Sequence, residues 1–188
     1  MNTSALQHLS DRELCRLMRE DAACADGAFM EIYNRYASKV NAYCFRILNN
    51  TELAEDTFQE TFLRFYQSVK NEREMTNLAG FLITIARNLC LNYKRNKLES
   101  VSIDEELLSY SDEARHDKNE LLYLIHTALE LLEPEFREVF VLKEYDGFSL
   151  AEIAEITGTS LANTKSRIHR AKDQIRSLLS EYIKDIQS

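Results

Sequence analysis

The residues of this chain best suited to binding another molecule lie near its C-terminal end. Between residues 159 and 172, side chains that can bind phosphate or base edges recur every one to four residues. Arginine and asparagine can read bases, whereas lysine and serine can bind phosphate. The candidate DNA-binding residues are Ser160, Asn163, Lys165, Ser166, Arg167, His169 and Arg170.

A helix-turn-helix pattern positions these residues. Ser149 and Glu152 form a capping box that predicts the start of a short helix. Gly158 follows Ala154 by four residues and precedes Thr164 by six, which suits two closely crossing helices joined by a left-handed turn. An ordinary helical hairpin with a solvated basic face is the alternative. The second helix is predicted to bury Leu161, Thr164, Ile168, Ala171 and Ile175.

The net charge of the chain argues against DNA binding until it is divided by segment. The 188 residues carry 31 acidic and 23 basic side chains, a formal charge of −8. Residues 29–97 and 159–188 each carry +3, whereas 98–120 and 121–158 each carry −6 and 1–28 carries −2. Residues 159–188, which carry the candidate DNA-binding side chains, are therefore basic, as are residues 29–97. The excess of acidic residues lies in the other segments.

The scarcity of turn-forming residues predicts an all-α protein. The chain has 4 glycines and 1 proline, too few for a β-sandwich or barrel. Apolar stripes at helical spacing occur on both sides of an acidic segment without periodicity. We predict two small helical bundles, 1–97 and 120–188, joined by a flexible acidic linker, 98–119. The fourth helix is predicted to face inward with Phe81, Leu82, Ile85, Leu89 and Tyr93.

No motif of an enzyme, metal centre or cofactor site is present in the sequence. The chain lacks HExxH, a P-loop, a nucleophile elbow and regular Cys/His spacing. Its four cysteines are interpreted as small core residues, a redox or zinc role being the less favoured alternative. No apolar run is long enough to span a membrane and no secretion signal is evident, which predicts a cytoplasmic protein without membrane insertion.

Three motifs resemble those of bacterial sigma factors, in that family's order. Residues 148–158 and 163–171, with 132–140 before them, resemble region four, the second DNA-binding domain. Residues 54–64 look like the polymerase-binding helix of region two, and residues 80–89 look like the helix that recognises the minus-ten element. A chain with regions two and four alone resembles the extracytoplasmic-function (ECF) group.

The resemblance implies an alternative sigma factor that binds core RNA polymerase and promoter DNA and directs transcription initiation. It implies no catalytic site and no cofactor, and it implies an anti-sigma partner. Region four would read the minus-thirty-five element with the residues named above. Core-polymerase binding is assigned to Asp56, Gln59, Glu60 and Arg64, and minus-ten recognition to Asn71, Asn77, Arg87, Asn88, Asn92 and Arg95.

Two alternatives remain open from the residues. A one-component helix-turn-helix regulator that does not join polymerase would need the C-terminal motif but neither of the motifs at 54–64 and 80–89. The acidic linker either threads the RNA channel of polymerase, as in related proteins, or is a solvated tether. Its candidate phosphate mimics are Asp104, Glu105, Glu106, Asp112 and Glu113.

Overall fold

The computed structural model describes residues 6–70, 77–100 and 120–186, and within these ranges all regular structure is helical. The chain divides into two compact units, Met1–Lys94 and Arg95–Ser188. The helices of the first half are α1 (Asp11–Glu20), α2 (Ala22–Leu48), α3 (Thr51–Val69) and α4 (Leu78–Ser100). Those of the second half are α5 (Glu120–Glu130), α6 (Pro134–Phe140), a π-helical turn (Val141–Tyr145), α7 (Leu150–Thr157) and α8 (Leu161–Ile186).

Side-chain caps determine where the first three helices begin. Ser10 and Glu13 form a complete capping box at α1, in which the Ser10 amide donates to Glu13 Oε2 at 2.7 Å. Asp21 Oδ1 accepts from the amide of Ala23 at 3.0 Å, and Asn50 Oδ1 accepts from that of Leu53 at 2.8 Å. Each cap satisfies an amide that the first helical turn leaves without a backbone partner.

Packing of α2 against α3 is dominated by aromatic side chains. Phe29 and Tyr33 of α2 contact the rings of α3, with Tyr33 and Phe62 centroids 4.8 Å apart. The buried layer beneath them includes Ile32 and Phe65. Rings at these distances add edge-to-face attraction to the burial of apolar area between α2 and α3.

A buried polar network ties α1 to α2. Arg35 donates from Nε to Glu31 Oε1 at 2.8 Å and from Nη1 to Asp11 Oδ1 at 3.0 Å. Tyr36 donates its hydroxyl to the other oxygen of Asp11 at 2.5 Å. Partial burial and the negative charge of Asp11 raise the pKa of Tyr36, so this hydroxyl stays a donor.

The buried face of α4 differs in part from the predicted one. Leu82 and Leu89 are buried as predicted, but Phe81, Ile85 and Tyr93 are only half-buried. The other buried residues of this face are Leu78, Ile83, Ala86 and Cys90. The small side chains at 86 and 90 allow close approach, so the face is centred near Leu82 and Ala86 with Phe81 and Ile85 on its flank. The helix also continues past Lys97 to Ser100.

Two buried thiols join α4 to α2. Cys44 and Cys90 are almost completely buried, and their side chains are hydrogen-bonded to each other. That hydrogen bond, followed by burial, raises the pKa of the Cys44 thiol well above its ordinary value. Burial also raises the pKa of Cys15, to about 11. These cysteines act as small core side chains, and Cys24 is half-buried.

The second unit has its core between α5, α6 and α8. This cluster consists of Ala128, Leu129, Leu132, Phe136, Ala171 and Ile175. Pro134 is the first residue of α6, where its missing amide proton costs no helical hydrogen bond. Arg137 of the same helix donates to the carbonyl oxygens of Glu130 and Leu132 and so closes the α5–α6 turn.

Candidate nucleic-acid interface

The turn between α7 and α8 has the geometry that the sequence predicts. Ser149 and Glu152 form a complete capping box at the start of α7, with 2.8 Å from the Ser149 amide to Glu152 Oε2. Gly158 ends α7 in a left-handed conformation, φ 68° and ψ 31°. Its amide bonds back to Ala154 O, as does that of Thr159 at 3.0 Å. The chain therefore reverses tightly into α8.

A chain of threonine hydroxyls locks the same turn. Thr157 Oγ1 donates to Ile153 O at 2.7 Å and lies 3.0 Å from Thr159 Oγ1. Thr159 Oγ1 is in turn 3.0 Å from Oγ1 of the fully buried Thr164. Thr164 also donates to Ser160 O at 3.1 Å. A threonine at position 164 is thus suited to this turn, because its hydroxyl joins the two helices where an aliphatic side chain could only pack.

The inner face of α8 confirms four of the five predicted residues. Thr164, Ile168, Ala171 and Ile175 are buried, but Leu161 is 45% exposed. Leu161 is the first residue of α8, four residues after α7 ends at Thr157. Helical spacing alone does not show which positions the neighbouring helices cover, and the prediction for Leu161 was wrong.

The outward face of α8 carries most of the candidate DNA-binding residues. The exposed ones are Ser160, which immediately precedes the helix, and Asn163, Lys165, Ser166, His169 and Arg170. Ser160 Oγ accepts from the amide of Asn163 at 3.2 Å and so also caps the helix. His169 Nδ1 lies 2.6 Å from Asp173 Oδ2 one turn further on. A face of this composition can bind phosphate and read base edges in a major groove.

Two cations on the flanks of α8 are paired with acids of the same unit. Arg167 Nη2 lies 2.5 Å from Glu135 Oε2 of α6, and the arginine side chain is only 23% exposed. Lys172 Nζ lies 2.8 Å from Glu144 Oε1 in the π-helical turn. Each carboxylate therefore competes with an incoming phosphate for its cation.

On α3 the predicted docking residues form one exposed strip. Asp56, Gln59 and Arg64 are exposed, and Glu60 is half-buried with Oε1 2.7 Å from Arg64 Nε. Leu63 lies in the same strip and is 53% exposed. Leu63 was not predicted, although its spacing of four residues from Gln59 and seven from Asp56 places it on that face.

On α4 the candidate residues lie on the side opposite the core. Asn88, Asn92 and Arg95 are exposed, and Arg87 is half-buried at the edge of the face. Leu91, which is 44% exposed, lies among them and was not predicted. The structure thus brings three of the predicted residues onto one face, with an aliphatic side chain between amides and a cation.

The two asparagines of the predicted minus-ten set that precede α4, Asn71 and Asn77, have different outcomes. Asn77 Oδ1 accepts from the amide of Gly80 at 2.9 Å, which makes Asn77 the cap of α4. A Cβ atom on Gly80 would lie 3.0 Å from the Asn77 side chain, so glycine leaves room for this cap. The role of Asn77 in base recognition stays a prediction. Asn71 and the linker acids at 104–106 and 112–113 lie outside the described residues.

Two kinds of feature are absent from the described residues. Within residues 6–70, 77–100 and 120–186, no group of histidine, cysteine and carboxylate side chains could hold a metal ion. Across the same ranges, no helix has the length and apolar character needed to cross a membrane.

Family models match most of the chain in two blocks. Residues 32–98 match sigma-70 region 2, and residues 122–175 match sigma-70 region 4. The blocks include α3, α4 and the helix-turn-helix, which are the elements that carry the faces described above. Both models match in the same order as the two helical units.

Relatives with similar sequences are described as sigma factors. The RNA polymerase sigma factor CarQ of Myxococcus xanthus is 31% identical over 84% of this chain and 92% of its own length. The ECF RNA polymerase sigma factor SigW of Bacillus subtilis is 32% identical over 82% and 90%. SigE of Mycolicibacterium smegmatis is 33% identical over 81% of this chain but 62% of its own length.

Solved structures support the fold. The sigma factor RpoE of Bartonella quintana, in complex with the anti-sigma factor NepR, gives a TM-score of 0.70 at 24% identity over 81% of this chain and 96% of that one. CnrH in complex with the cytosolic domain of CnrY gives 0.68 at 20% identity over 91% and 97%. At 24% and 20% identity, these similarities show a common fold and nothing more.

Proposed function

The chain belongs to the sigma-70 family, and from that membership we propose a role for each of its exposed faces. It is an alternative sigma factor of the ECF type, which binds core RNA polymerase, recognises promoter elements and directs transcription initiation. Region 2 and region 4 occur together in one chain, and this joint occurrence carries the proposal. A one-component regulator that acts without polymerase would not need region 2.

The exposed strip of α3 is proposed to bind core polymerase. It presents the carboxylate of Asp56, the amide of Gln59 and the Glu60–Arg64 ion pair on a single side of the helix. Leu63 adds an apolar group at the centre of the strip. A mixed acidic and apolar strip suits a basic helical surface of the partner, because its charges are complementary and its centre can be desolvated.

The outward face of α4 is proposed to read the minus-ten element. Asn88 and Asn92 each offer both a donor and an acceptor, which is what an unpaired base edge requires. Arg87 and Arg95 supply charge for the phosphate backbone at the upstream edge of the element. Asn71 and Asn77 belong to the same proposal as residues that receive an extruded base.

The outward face of α8 is proposed to read the minus-thirty-five element in a major groove. Asn163 and Arg170 are suited to base edges, and Lys165 and Ser166 to phosphates. Arg167 joins them when DNA replaces the Glu135 carboxylate as the partner of its guanidinium group. The full set comprises Ser160, Asn163, Lys165, Ser166, Arg167, His169 and Arg170.

The remaining roles follow from the same membership. The protein is proposed to be a specificity subunit without a catalytic site of its own, so that polymerase performs the chemistry. It is proposed to work in the cytoplasm and to be held inactive by an anti-sigma factor, as the solved relatives RpoE and CnrH were determined in complex with NepR and CnrY.

The test is transcription in vitro with sigma-free core polymerase and genomic promoter fragments. We expect the full chain to bind core and to support initiation from a subset of fragments. Asp56→Arg combined with Gln59→Ala should weaken core binding, whereas Asp26→Arg, the same charge change at an exposed site of α2, should not. Failure of the wild-type chain to bind core would refute the proposal, and DNA binding without core binding would favour the one-component regulator.

A second variant tests the assignment of α8. Arg167→Ala should lower promoter affinity of the holoenzyme without changing core binding. A changed base preference would identify Arg167 as a base reader, with about 1–3 kcal/mol expected for a good base contact. A uniform loss across sequences would identify a phosphate contact. Unchanged promoter affinity would remove Arg167 from the proposed site.

A further inference from the structure

Leu161 is a large aliphatic side chain exposed at the start of the DNA-facing helix. It is 45% exposed, whereas the other apolar residues along its side of α8, Ile168 and Ile175, are buried. Its neighbours Ala162 and Asn163 are exposed as well. Leu161 is thus an exposed aliphatic side chain on a helix whose other exposed side chains are nearly all polar or charged.

The first turn of α8 is held rigidly in place. Ser160 Oγ accepts from the amide of Asn163, and Ser160 O accepts from the hydroxyl of Thr164. Thr164 is itself tied to the preceding turn through Thr159. The backbone that carries Leu161 is therefore ordered before any ligand arrives, and contact with a ligand requires little further ordering.

The surroundings of Leu161 indicate a nucleic acid as its partner. Lys165 lies one helical turn further along and is exposed on the same side. Arg170 is exposed beyond it, and segment 159–188 carries a net charge of +3. An apolar residue beside exposed cations fits the groove of DNA better than an apolar protein surface, because approach of such a surface would desolvate the cations.

A major groove offers one apolar group at its floor, the 5-methyl group of thymine. The N-terminal residues of a recognition helix are those that approach base edges. We propose that Leu161 contacts this methyl group and makes one position of the minus-thirty-five element selective for thymine. The inference rests on the proposed function of α8 and adds to it a residue that discriminates without hydrogen bonds.

The first experiment measures base preference. Holoenzyme reconstituted from the full chain and core polymerase selects from a promoter library randomised across the minus-thirty-five element. We expect wild type to enrich thymine at a position where Leu161→Ala shows no preference. Leu131→Ala removes an exposed leucine next to α5 and serves as the matched control with an unchanged preference.

The second experiment removes the methyl group itself. Deoxyuridine replaces thymidine at the selected position, which deletes the 5-methyl group and retains every hydrogen-bonding atom. Wild-type holoenzyme should bind the deoxyuridine promoter about fourfold more weakly, as expected for one buried methyl group. Leu161→Ala should bind the two promoters equally, and Leu161→Met, which restores an apolar side chain, should regain part of the discrimination.

Each outcome bears on a different claim. Identical base preferences for wild type and Leu161→Ala, or equal sensitivity of both to deoxyuridine, would overturn the role of Leu161. Loss of core binding in Leu161→Ala without a change in preference would assign the side chain to polymerase and would also overturn it. A wild-type holoenzyme that enriches no sequence across the element would instead refute the proposed function of α8.

Discussion

The two helices proposed to meet DNA, α4 and α8, are held in place by different forces. The inner face of α4 is seated by buried apolar side chains such as Leu82 and by the contact between Cys90 and Cys44. α8 has an apolar face too, but it adds the hydroxyl chain through Thr164 and the ion pair of Arg167 with Glu135. Salt should therefore have little effect on the position of α4, whereas it should weaken the ion pair that holds Arg167 of α8.

The outward faces of α4 and α8 also differ in their polar and charged side chains. α4 presents the amides of Asn88 and Asn92, which can pair with single bases, together with the cation Arg95. α8 presents a larger set of cations, whose affinity for duplex DNA falls steeply with salt. We therefore propose that α4 makes its base contacts after strand separation, whereas α8 contributes more to the initial electrostatic approach.

The largest effect is expected from truncating a buried apolar side chain on the inner face of α4. Leu82→Ala removes a fully buried side chain and should destabilise the first unit by about 2–5 kcal/mol. Hydrogen exchange of α4 amides should accelerate, and permanganate reactivity of minus-ten thymines in the open complex should fall. Leu91→Ala, an exposed leucine of the same helix, should change stability by less than about 0.5 kcal/mol. If Leu82→Ala and Leu91→Ala lowered the stability of the first unit equally, burial of Leu82 would not explain how α4 is held in place.

A smaller effect is expected at the turn that leads into α8. Gly158→Ala places a side chain at φ 68°, and no atom lies within 4 Å of its Cβ, so the cost is backbone strain of about 1–2 kcal/mol. Hydrogen exchange of α7 and α8 measures the loss. Gly158→Asn should lose less, because asparagine tolerates the left-handed region. If asparagine cost as much as alanine, crowding rather than strain would be responsible.

The smallest effect tests the ion pairs on α8. Glu135→Gln releases Arg167 from a carboxylate and should raise promoter affinity of the holoenzyme by less than about fivefold at low salt, because half-exposed pairs are weak. Glu155→Gln, which removes one negative charge from an exposed site on α7, provides the control. If both variants raised affinity equally, net charge alone would explain the gain, and the pair would not restrain Arg167.

Elements specified by local chemistry were predictable from the sequence. The capping boxes at Ser10 and Ser149, the helix start at Pro134 and the left-handed turn at Gly158 each depend on residues within four positions of one another. The all-helical fold and the family were likewise predictable, because hydrophobic spacing and three ordered motifs are properties of the chain itself.

Features that depend on distant packing were not predictable. Leu161 has the spacing of a buried residue but is 45% exposed. The burial of Ile83 and Ala86, and the partner of Arg167, depend on side chains far away in sequence. Leu63 and Leu91 were recognised in the proposed sites only because the structure shows them to be exposed. The sequence candidates were polar residues, and apolar ones were not considered.

The π-helical turn at Val141–Tyr145 has a consequence for how this protein can vary in length. The Asp146 amide bonds to Val141 O at 3.1 Å, so the turn holds one residue more than a regular helical turn. Deleting one residue there would restore the regular ladder from Pro134 onward and rotate the start of α7 by about 100°. A single-residue deletion in this segment is therefore expected to change the orientation of α7, and with it that of the helix-turn-helix, rather than to break a helix.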